Sequence, residues 1–262
     1  MTLAYGVDIS RFQYSADGQV KMDFDKLKAH PNKPRFIGIR TGISWGYADA
    51  WFSRSWSEAK RIGIYRLPYH IIYFGESAQA QADNYFKIIG SDVDWKHDKP
   101  VLDLEVSGGF SKAKITDTTG AVMEIVKQRT GMYPINYSRA DWVNQFLDWK
   151  ALPETNWWIA SYLTAAPYPA FTNEKAQPPI MPTGMTKWMF HQSSSRSDGN
   201  AHGAASYYID VNRFNGDEAA LDAYFGAQIE TPPTLEQRLA DHEARIQALE
   251  AINHIYLPIV QK

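Results

Sequence analysis

The chain has 262 residues, no cysteine and a formal net charge of −2. The lack of cysteine excludes disulfides, thiolate metal sites and cysteine nucleophiles, and the small charge gives no electrostatic reason to expect nucleic acid or an anionic membrane surface as a partner. No apolar run approaches the ~20 residues of a membrane span. Nine Trp and fifteen Tyr indicate either a well-filled core or an aromatic cleft for a ring-shaped ligand.

Strand-like and helix-like segments alternate through the first half of the chain. Eight strands are predicted, at residues 5–9, 36–43, 69–74, 101–106, 133–137, 157–162, 188–192 and 207–211. Helices are predicted at residues 50–61, 77–89 and 116–129, each followed by a glycine that can end it.

This order of elements predicts an α/β fold. Strands that alternate with helices favour a parallel sheet, and eight strands suit a closed barrel. However, residues 163–187 are rich in proline and residues 193–206 are rich in serine and glycine, so neither stretch is typical of a helix. We therefore predict an irregular TIM-like barrel whose last crossovers are loops. A regular eightfold barrel is the second choice, and an open doubly wound sheet is the third.

The end of the chain is predicted to be separate from the barrel, which occupies residues 1–226. Residues 227–234 have the composition of a linker, and residues 235–262 are predicted to form a C-terminal amphipathic helix that begins with a capping box at Thr234 and Gln237. Its 4-3 spacing is typical of a short coiled coil. Two interpretations remain open: a helix packed on the barrel, or a seam for a homo-oligomer or for attachment to a larger assembly.

Two acids interrupt the predicted strand VLDLEV. Side chains alternate along a strand, so Asp103 and Glu105 share one face, whereas Leu102, Leu104 and Val106 face the covering helices. Inward residues near the carboxyl ends of barrel strands form the floor of an active site. Two close carboxylates ionise at different pH, which leaves a protonated acid beside a charged one. A protonated acid beside a carboxylate is the catalytic pair that cleaves glycosidic bonds. The alternative interpretation is that these acids form a structural ion pair with a basic residue.

Two further acids repeat the pattern, Asp8 in the first predicted strand and Asp210 in the last. First and last strands are neighbours in a closed barrel, so we expect four acids at one mouth. Such an oxygen-rich cluster also suits Mg²⁺ or Ca²⁺. Aromatic residues around the strand ends favour a sugar over a metal ion.

The motifs of the chain, in their order, resemble those of the glycoside hydrolase family 25 lysozymes, the Chalaropsis-type muramidases. The segments that carry the resemblance are GVDIS, FIGIRTG, DAWFSRSWSEAKRIGI, PYH, VLDLE, INYS, WWIASY and IDVNRF, which together span residues 4–225. The family fold is an irregular barrel of five β/α units followed by three strands, (β/α)5(β)3. The resemblance implies this architecture here.

The resemblance also implies a function and its residues. The expected reaction is hydrolysis of the β-1,4 bond between N-acetylmuramic acid and N-acetylglucosamine in peptidoglycan, with retention and with neither cofactor nor metal. Glu105 is then the general acid, and Asp103 stabilises the transition state, as a nucleophile or by orienting the 2-acetamido group. Asp8 and Asp210 support the site electrostatically. The implied sugar-binding residues are Arg40, Tyr69, Tyr137, Trp158, Tyr162, Trp188 and Gln192.

The start of the sequence bears on where such an enzyme acts. Residues 1–8 contain neither a basic region nor a long apolar stretch, so no signal peptide is predicted. Together with the resemblance, this indicates a bacteriophage lysin, made in the host cytoplasm and acting on the bacterial cell wall after release through a holin or as part of the virion. The alternative from another class of protein is a non-catalytic glycan-binding or structural barrel of a phage particle.

Overall fold

A computed structural model of the chain describes residues 3–162 and 177–226. Met1–Gly226 forms one compact unit. The predicted linker and C-terminal helix lie outside the described residues, as does the proline-rich stretch at residues 163–176. Within the described part, no helix is both long enough and apolar enough to cross a membrane.

The strands and helices follow one another in an order close to the predicted one. The strands are β1 Tyr5–Ile9, β2 Phe36–Ile43, β3 Tyr47–Ala48, β4 Tyr65–Ile71, β5 Val101–Asp103, β6 Ile135–Arg139, β7 Trp157–Ala160, β8 Phe190–Asp198 and β9 Tyr208–Phe214. The α-helices are α1 Phe24–Ala29, α2 Phe52–Ile62, α3 Ala78–Ile89, α4 Lys112–Thr130, α5 Ala140–Phe146 and α6 Glu218–Tyr224.

All the described strands except β3 close into a barrel. They lie in the order β1-β9-β8-β7-β6-β5-β4-β2, and a parallel pairing of β1 with β2 completes the ring. The short β3 pairs only with β2, as an antiparallel hairpin. Strands β1, β2, β4, β5 and β6 are each followed by a helix before β7 begins. The predicted irregular barrel of five β/α units and three further strands is therefore confirmed.

Strand β9 runs antiparallel to both of its neighbours, β1 and β8, so the parallel arrangement that the alternation of strands and helices favours does not extend to this strand. Residues 199–207 alone join β8 to β9, and a short hairpin connection can only return the chain in the opposite direction. Because β9 enters the barrel from the open end, Asp210 lies near the start of its strand. It still lies opposite Asp8 in the register of the two strands.

Strand β5 is shorter than the predicted strand. It ends at Asp103, so Glu105 lies on the loop that follows. Leu102 and Leu104 are buried between the sheet and the helices as predicted, but Val106 is 41% exposed. The chain leaves the sheet after Asp103, and the last apolar residue of the run is therefore not covered by a helix.

The helices owe their ends to local capping. Helices α2, α3 and α4 end at Gly63, Gly90 and Gly131, which all have positive φ, the conformation that glycine adopts at least cost. Helix α4 begins four residues earlier than the apolar pattern indicates. The side chain of Ser111 accepts a hydrogen bond from the backbone N–H of Lys114 and so fixes the start.

Side chains inside the barrel change from apolar to polar along each strand. On β2 the inward positions are Phe36, Gly38 and Arg40, and on β5 Val101 is followed by Asp103. The apolar end is closed by the buried cluster of Ala4, Phe36, Leu67, Val101, Ile135, Trp158, Phe190, Phe214, Leu221 and Phe225. Polar groups therefore gather at the other end, where the parallel strands finish.

Candidate active site

A cavity of about 310 Å³ opens at the carboxyl ends of the parallel strands. It is lined by Asp8, Ser10, Phe12, Arg40, Tyr69, Ile71, Val101, Asp103, Glu105, Tyr137, Trp158, Tyr162, Gln192, Ser195 and Asp210. The barrel thus brings together the four acids, together with every other candidate site residue of the sequence except Trp188. Ligands bind at this end of barrels because the loops that follow the strands can vary without disturbing the core.

Trp188 does not line the cavity, which corrects its prediction as a sugar-binding residue. It precedes β8 and therefore lies at the amino end of that strand, opposite the mouth. Its ring packs edge-on against His191, with 5.8 Å between the ring centres. Gln192, on the strand itself, does reach the cavity.

Several residues of the site escaped the sequence analysis. Ser10 and Phe12 follow β1 directly. Residues just after a barrel strand commonly form the active-site face, so this position could have predicted them. Asn212 lies two residues after Asp210 on the same face of β9, so strand alternation would have found it. Ser195 lies on β8 beyond a register shift, and simple alternation does not predict where such a residue points.

Asp8 is the most thoroughly hydrogen-bonded of the four acids. Its Oδ2 accepts hydrogen bonds from Gln192 Nε2 at 2.9 Å and from Asn212 Nδ2 at 2.7 Å. Burial raises the pKa of Asp8 to about 6, and the charge of Glu105 adds to this, whereas the two amide hydrogen bonds and one with Asp210 oppose it. Donors to a carboxylate favour its charged form, so Asp8 ionises before Asp210.

Asp210 lies opposite Asp8 across the antiparallel β1–β9 pair. Burial raises the pKa of Asp210 well above its usual value, and the charges of Asp8 and Glu105 raise it further, as does the hydrogen bond to Asp8. Two carboxyl groups in contact cannot both ionise readily. The interaction between the two carboxyl groups therefore favours the proton on Asp210 and the charge on Asp8.

Asp103 and Glu105 differ in their surroundings. Asp103 is only 4% exposed, and its Oδ1 has no hydrogen-bond partner within the described part of the chain. Burial raises the pKa of Asp103 well above the usual range; the charges of Glu105 and Asp8 add to this, and Arg40 opposes it. The Glu105 side chain is exposed at the rim. Desolvation of its carboxyl nevertheless raises the pKa of Glu105, and the charge of Arg139 lowers it.

Two tyrosines orient the Gln192 side chain. The hydroxyls of Tyr137 and Tyr162 donate hydrogen bonds to Gln192 Oε1 at 2.9 Å and 3.2 Å. With its oxygen occupied in this way, the amide directs its N–H toward Asp8. Tyr137 and Tyr162 therefore line the cavity and also act on the acid through Gln192.

Arg40 lines the cavity, but its charge is paired with a residue outside the acid cluster. Its Nε and Nη2 lie 2.9 Å and 2.8 Å from Oδ2 of Asp49, and both side chains are almost completely buried. Arg40 still lowers the pKa of Asp103 through its charge. The structure therefore pairs Arg40 with Asp49, which is not one of the four acids of the cavity.

Together these residues form an acid site with aromatic walls. A proton donor at the rim, a buried carboxyl with a free oxygen and a hydrogen-bonded acid pair share one cavity. Among residues 3–162 and 177–226, no group of three or more His, Cys, Asp or Glu side chains is arranged to hold a metal ion. Paired carboxyl groups in a barrel mouth are the arrangement of a glycoside hydrolase.

Comparisons with known proteins agree with this class. The family model for glycosyl hydrolases family 25 matches residues 7–203, which is most of the chain, and the chain belongs to this family. It is 28% identical over 228 residues to the uncharacterized protein YegX of Escherichia coli K12, a match that covers 87% of this chain and 75% of that protein.

Solved structures of the same family have a similar fold. A bacterial lysozyme from Streptomyces coelicolor is 25% identical, with a TM-score of 0.66, over 85% of this chain and 97% of its own. A family 25 glycosyl hydrolase from Bacillus anthracis is 22% identical, also with a TM-score of 0.66, over 84% of this chain and 92% of its own.

Proposed function

We propose that this protein is a lysozyme that cleaves the β-1,4 bond between N-acetylmuramic acid and N-acetylglucosamine in bacterial peptidoglycan. The observation that carries the proposal is the gathering of Asp8, Asp103, Glu105 and Asp210 at one aromatic-walled mouth of a family 25 barrel. The similar structure from Streptomyces coelicolor, described as a lysozyme, supports it.

Glu105 is the proposed general acid. A general acid must hold its proton near the working pH, and the raised pKa of Glu105 favours the protonated form. Its exposure at the rim leaves the proton accessible to the oxygen of the bond being cleaved. Protonation of that oxygen lets the leaving sugar depart as an alcohol.

Asp103 is the proposed partner of the anomeric carbon. Its buried Oδ1 has no hydrogen-bond partner among the described residues, so it is available to the substrate. In its ionised form, which the charge of Arg40 favours, the carboxylate either attacks the anomeric carbon as the leaving oxygen takes the proton of Glu105, or accepts the N–H of the 2-acetamido group, whose carbonyl oxygen then attacks in its place. Both routes give retention. NMR of the first product, recorded before mutarotation, tests this: a β-anomer supports retention, and an α-anomer excludes it.

Asp8 and Asp210 are the proposed electrostatic support. Positive charge develops on the sugar ring as the bond breaks, and a carboxylate fixed in advance by hydrogen bonds stabilises that charge without reorganising. The two amide donors and the Asp210 proton fix the Asp8 carboxylate in this way.

Mass spectrometry of digested peptidoglycan tests the reaction. We expect new reducing muramic acid ends, and a loss of at least ~10²-fold in rate for Glu105→Gln, the usual contribution of a general acid. Glu154→Gln is the matched control, because Glu154 is exposed and does not line the cavity. A wild-type protein that binds peptidoglycan but releases no reducing ends would instead be the non-catalytic glycan-binding barrel.

We further propose that the enzyme takes part in phage-mediated wall degradation. Among proteins of similar fold is the catalytic domain of the endolysin ply40 from bacteriophage P40 of Listeria monocytogenes, 16% identical with a TM-score of 0.59. That likeness concerns the fold, so the phage context needs its own test. Expression in a bacterial cytoplasm with and without a holin provides one: lysis only with the holin supports the proposal, and lysis without it contradicts it.

We also propose self-association through residues 235–262. The 4-3 spacing of apolar residues in this segment supports it. Analytical sedimentation of the full chain, and of a chain that ends at Gly226, tests it. A monomer mass in both cases excludes the coiled coil.

A further inference from the structure

An exposed cation lies next to the cavity. The Arg11 side chain is open to solvent, and no ion pair within the described residues includes its guanidinium. Its Cζ lies 4.9 Å from the centre of the Phe12 ring and 5.9 Å from that of Tyr47. Phe12 itself lines the cavity. The Arg11 guanidinium therefore contacts a ring that forms part of the cavity wall.

The backbone holds Arg11 in place. Ser10 begins a short 3-10 turn, Arg11–Gln13, and its side chain and that of Gln13 form a reciprocal capping box. The backbone N–H of Arg11 donates a hydrogen bond of 2.9 Å to Oδ2 of Asp49. Cation–π contact with two rings adds to this anchoring, so the guanidinium is oriented before any ligand arrives.

The neighbouring charges leave Arg11 available. Arg40 lies over the same two rings, with its Cζ 5.3 Å from the centre of Phe12 and 6.0 Å from that of Tyr47. Its guanidinium, unlike that of Arg11, is paired with Asp49 at 2.8 Å. Asp49 therefore neutralises the charge of the buried Arg40 guanidinium. The exposed Arg11 guanidinium keeps its positive charge, since no acid among the described residues is paired with it. A planar guanidinium with free N–H donors is suited to bind a carboxylate with two parallel hydrogen bonds.

We propose that Arg11 binds a carboxylate of the substrate at the rim of the cavity, with the exposed ring of Phe12 as its support. The inference rests on the proposed muramidase function, because a glycan strand seated in the cavity carries its acidic substituents past the rim. Two sources share this chemistry. One is a free carboxylate of the stem peptide, and the other is the lactyl carboxylate of muramic acid, which is exposed when the stem has been removed.

Steady-state kinetics on three forms of one peptidoglycan test the proposal. The first has intact stems, the second has its stems removed by an amidase, and in the third the carboxylates are converted to amides by a carbodiimide and ammonium chloride. We expect Arg11→Gln to raise KM about threefold to tenfold on a carboxylate-bearing form, as for an exposed bidentate charge pair. The kcat should change little, because binding of this kind is equal in ground and transition states. On the amidated form the variant and the wild type should have the same KM.

The arms of the experiment identify the carboxylate. If the KM of Arg11→Gln exceeds that of the wild type only on peptidoglycan with intact stems, the bound carboxylate belongs to the stem peptide. If it does so only on the amidase-treated form, the bound carboxylate is that of the lactyl group. Arg11→Lys should retain part of the affinity because it retains the charge. Arg129→Gln is the control, since Arg129 lies at the surface in an ion pair with Asp83.

Two results would overturn the proposal. One is a wild-type KM for Arg11→Gln on both carboxylate-bearing forms, and the other is an equal KM increase on the amidated form. Failure of the muramidase function is visible separately, because the wild-type protein would then release no reducing muramic acid ends from any of the three.

Discussion

Asn212 donates a hydrogen bond of 2.7 Å from its side-chain Nδ2 to Oδ2 of Asp8. The same amide accepts a hydrogen bond of 2.8 Å from Trp158 Nε1 through its Oδ1. Asn212 is completely buried, so no water replaces either partner. The indole therefore fixes the orientation of the amide, and the amide fixes the ionised form of the acid.

Replacement of Asn212 by alanine should lower kcat/KM by about tenfold to a hundredfold. Loss of a hydrogen bond to a charged group costs about 1.5–3 kcal/mol, and here it also raises the pKa of Asp8 by removing a donor. Steady-state kinetics on peptidoglycan measure the effect. Asn156→Ala is the control, because Asn156 hydrogen-bonds Tyr224 and does not line the cavity. Wild-type kcat/KM in Asn212→Ala would show that this contact does not support catalysis.

Asp103→Asn should stabilise the fold at alkaline pH. The pKa of Asp103 is higher in the folded chain than in the unfolded one, so stability is lost as pH rises through the folded pKa. A neutral amide avoids this loss. We expect a gain of about 1–2 kcal/mol at pH 8, or roughly 2–4 °C in melting temperature for each kcal/mol, and a smaller gain at pH 4.

Thermal unfolding followed by circular dichroism at both pH values checks this stability prediction. Asp117→Asn is the matched control, because Asp117 is exposed on α4 and surface changes usually stay within ~0.5 kcal/mol. The prediction is wrong if Asp103→Asn melts below the wild type at pH 8.

Arg139 and Asp141 should tune the alkaline limit of activity in opposite directions. The general acid works protonated, so activity is lost as pH rises through the pKa of Glu105, which the charge of Arg139 lowers. Arg139→Gln should therefore move the alkaline limb of the rate profile to higher pH. Asp141 lies 3.6 Å from Arg139 and opposes its charge. Without the charge of Asp141, Arg139 should lower the pKa of Glu105 further, so Asp141→Asn should move the alkaline limb of the rate profile to lower pH.

The rate profiles should be recorded at low ionic strength, because exposed charges are screened by salt, and then repeated at high salt. We expect the shifts to shrink in the second series. A shift of the same sign in both variants would mean that Arg139 does not act on Glu105 through its charge.

Gly38 is the place where the barrel wall comes closest to the site. A Cβ at this position would lie 2.7 Å from the Trp158 ring and 2.8 Å from Cβ of Asp8. Gly38→Ala should destabilise the fold by about 1–3 kcal/mol through overpacking and lower kcat by displacing both groups. Gly46→Ala is the control, since a Cβ added there would meet no atom within 4 Å. Equal melting temperatures and rates for the two variants would contradict the close packing.

Much of the site could be predicted because strand alternation is local. Residues two apart on a strand share a face whatever the rest of the chain does, and this placed Val101 and Asp103 on the inward face of β5. Glu105 lines the same cavity from the loop that follows the strand. Glycine at the helix ends acted in the same local way, and Gly63, Gly90 and Gly131 ended their helices as predicted. Trp188 was named from the resemblance, and the structure places it before β8 and outside the lining of the cavity.

The sequence by itself determined the faces of the strands, the helix ends, the chemical types in the site and the resemblance to family 25. Only the tertiary structure decided the direction of β9, the partner of Arg40 and the pairing of Asp8 with Asp210. The physical reason is distance along the chain. Alternation and capping depend on neighbouring residues, whereas pKa values and ion pairs depend on groups that meet only when the barrel closes.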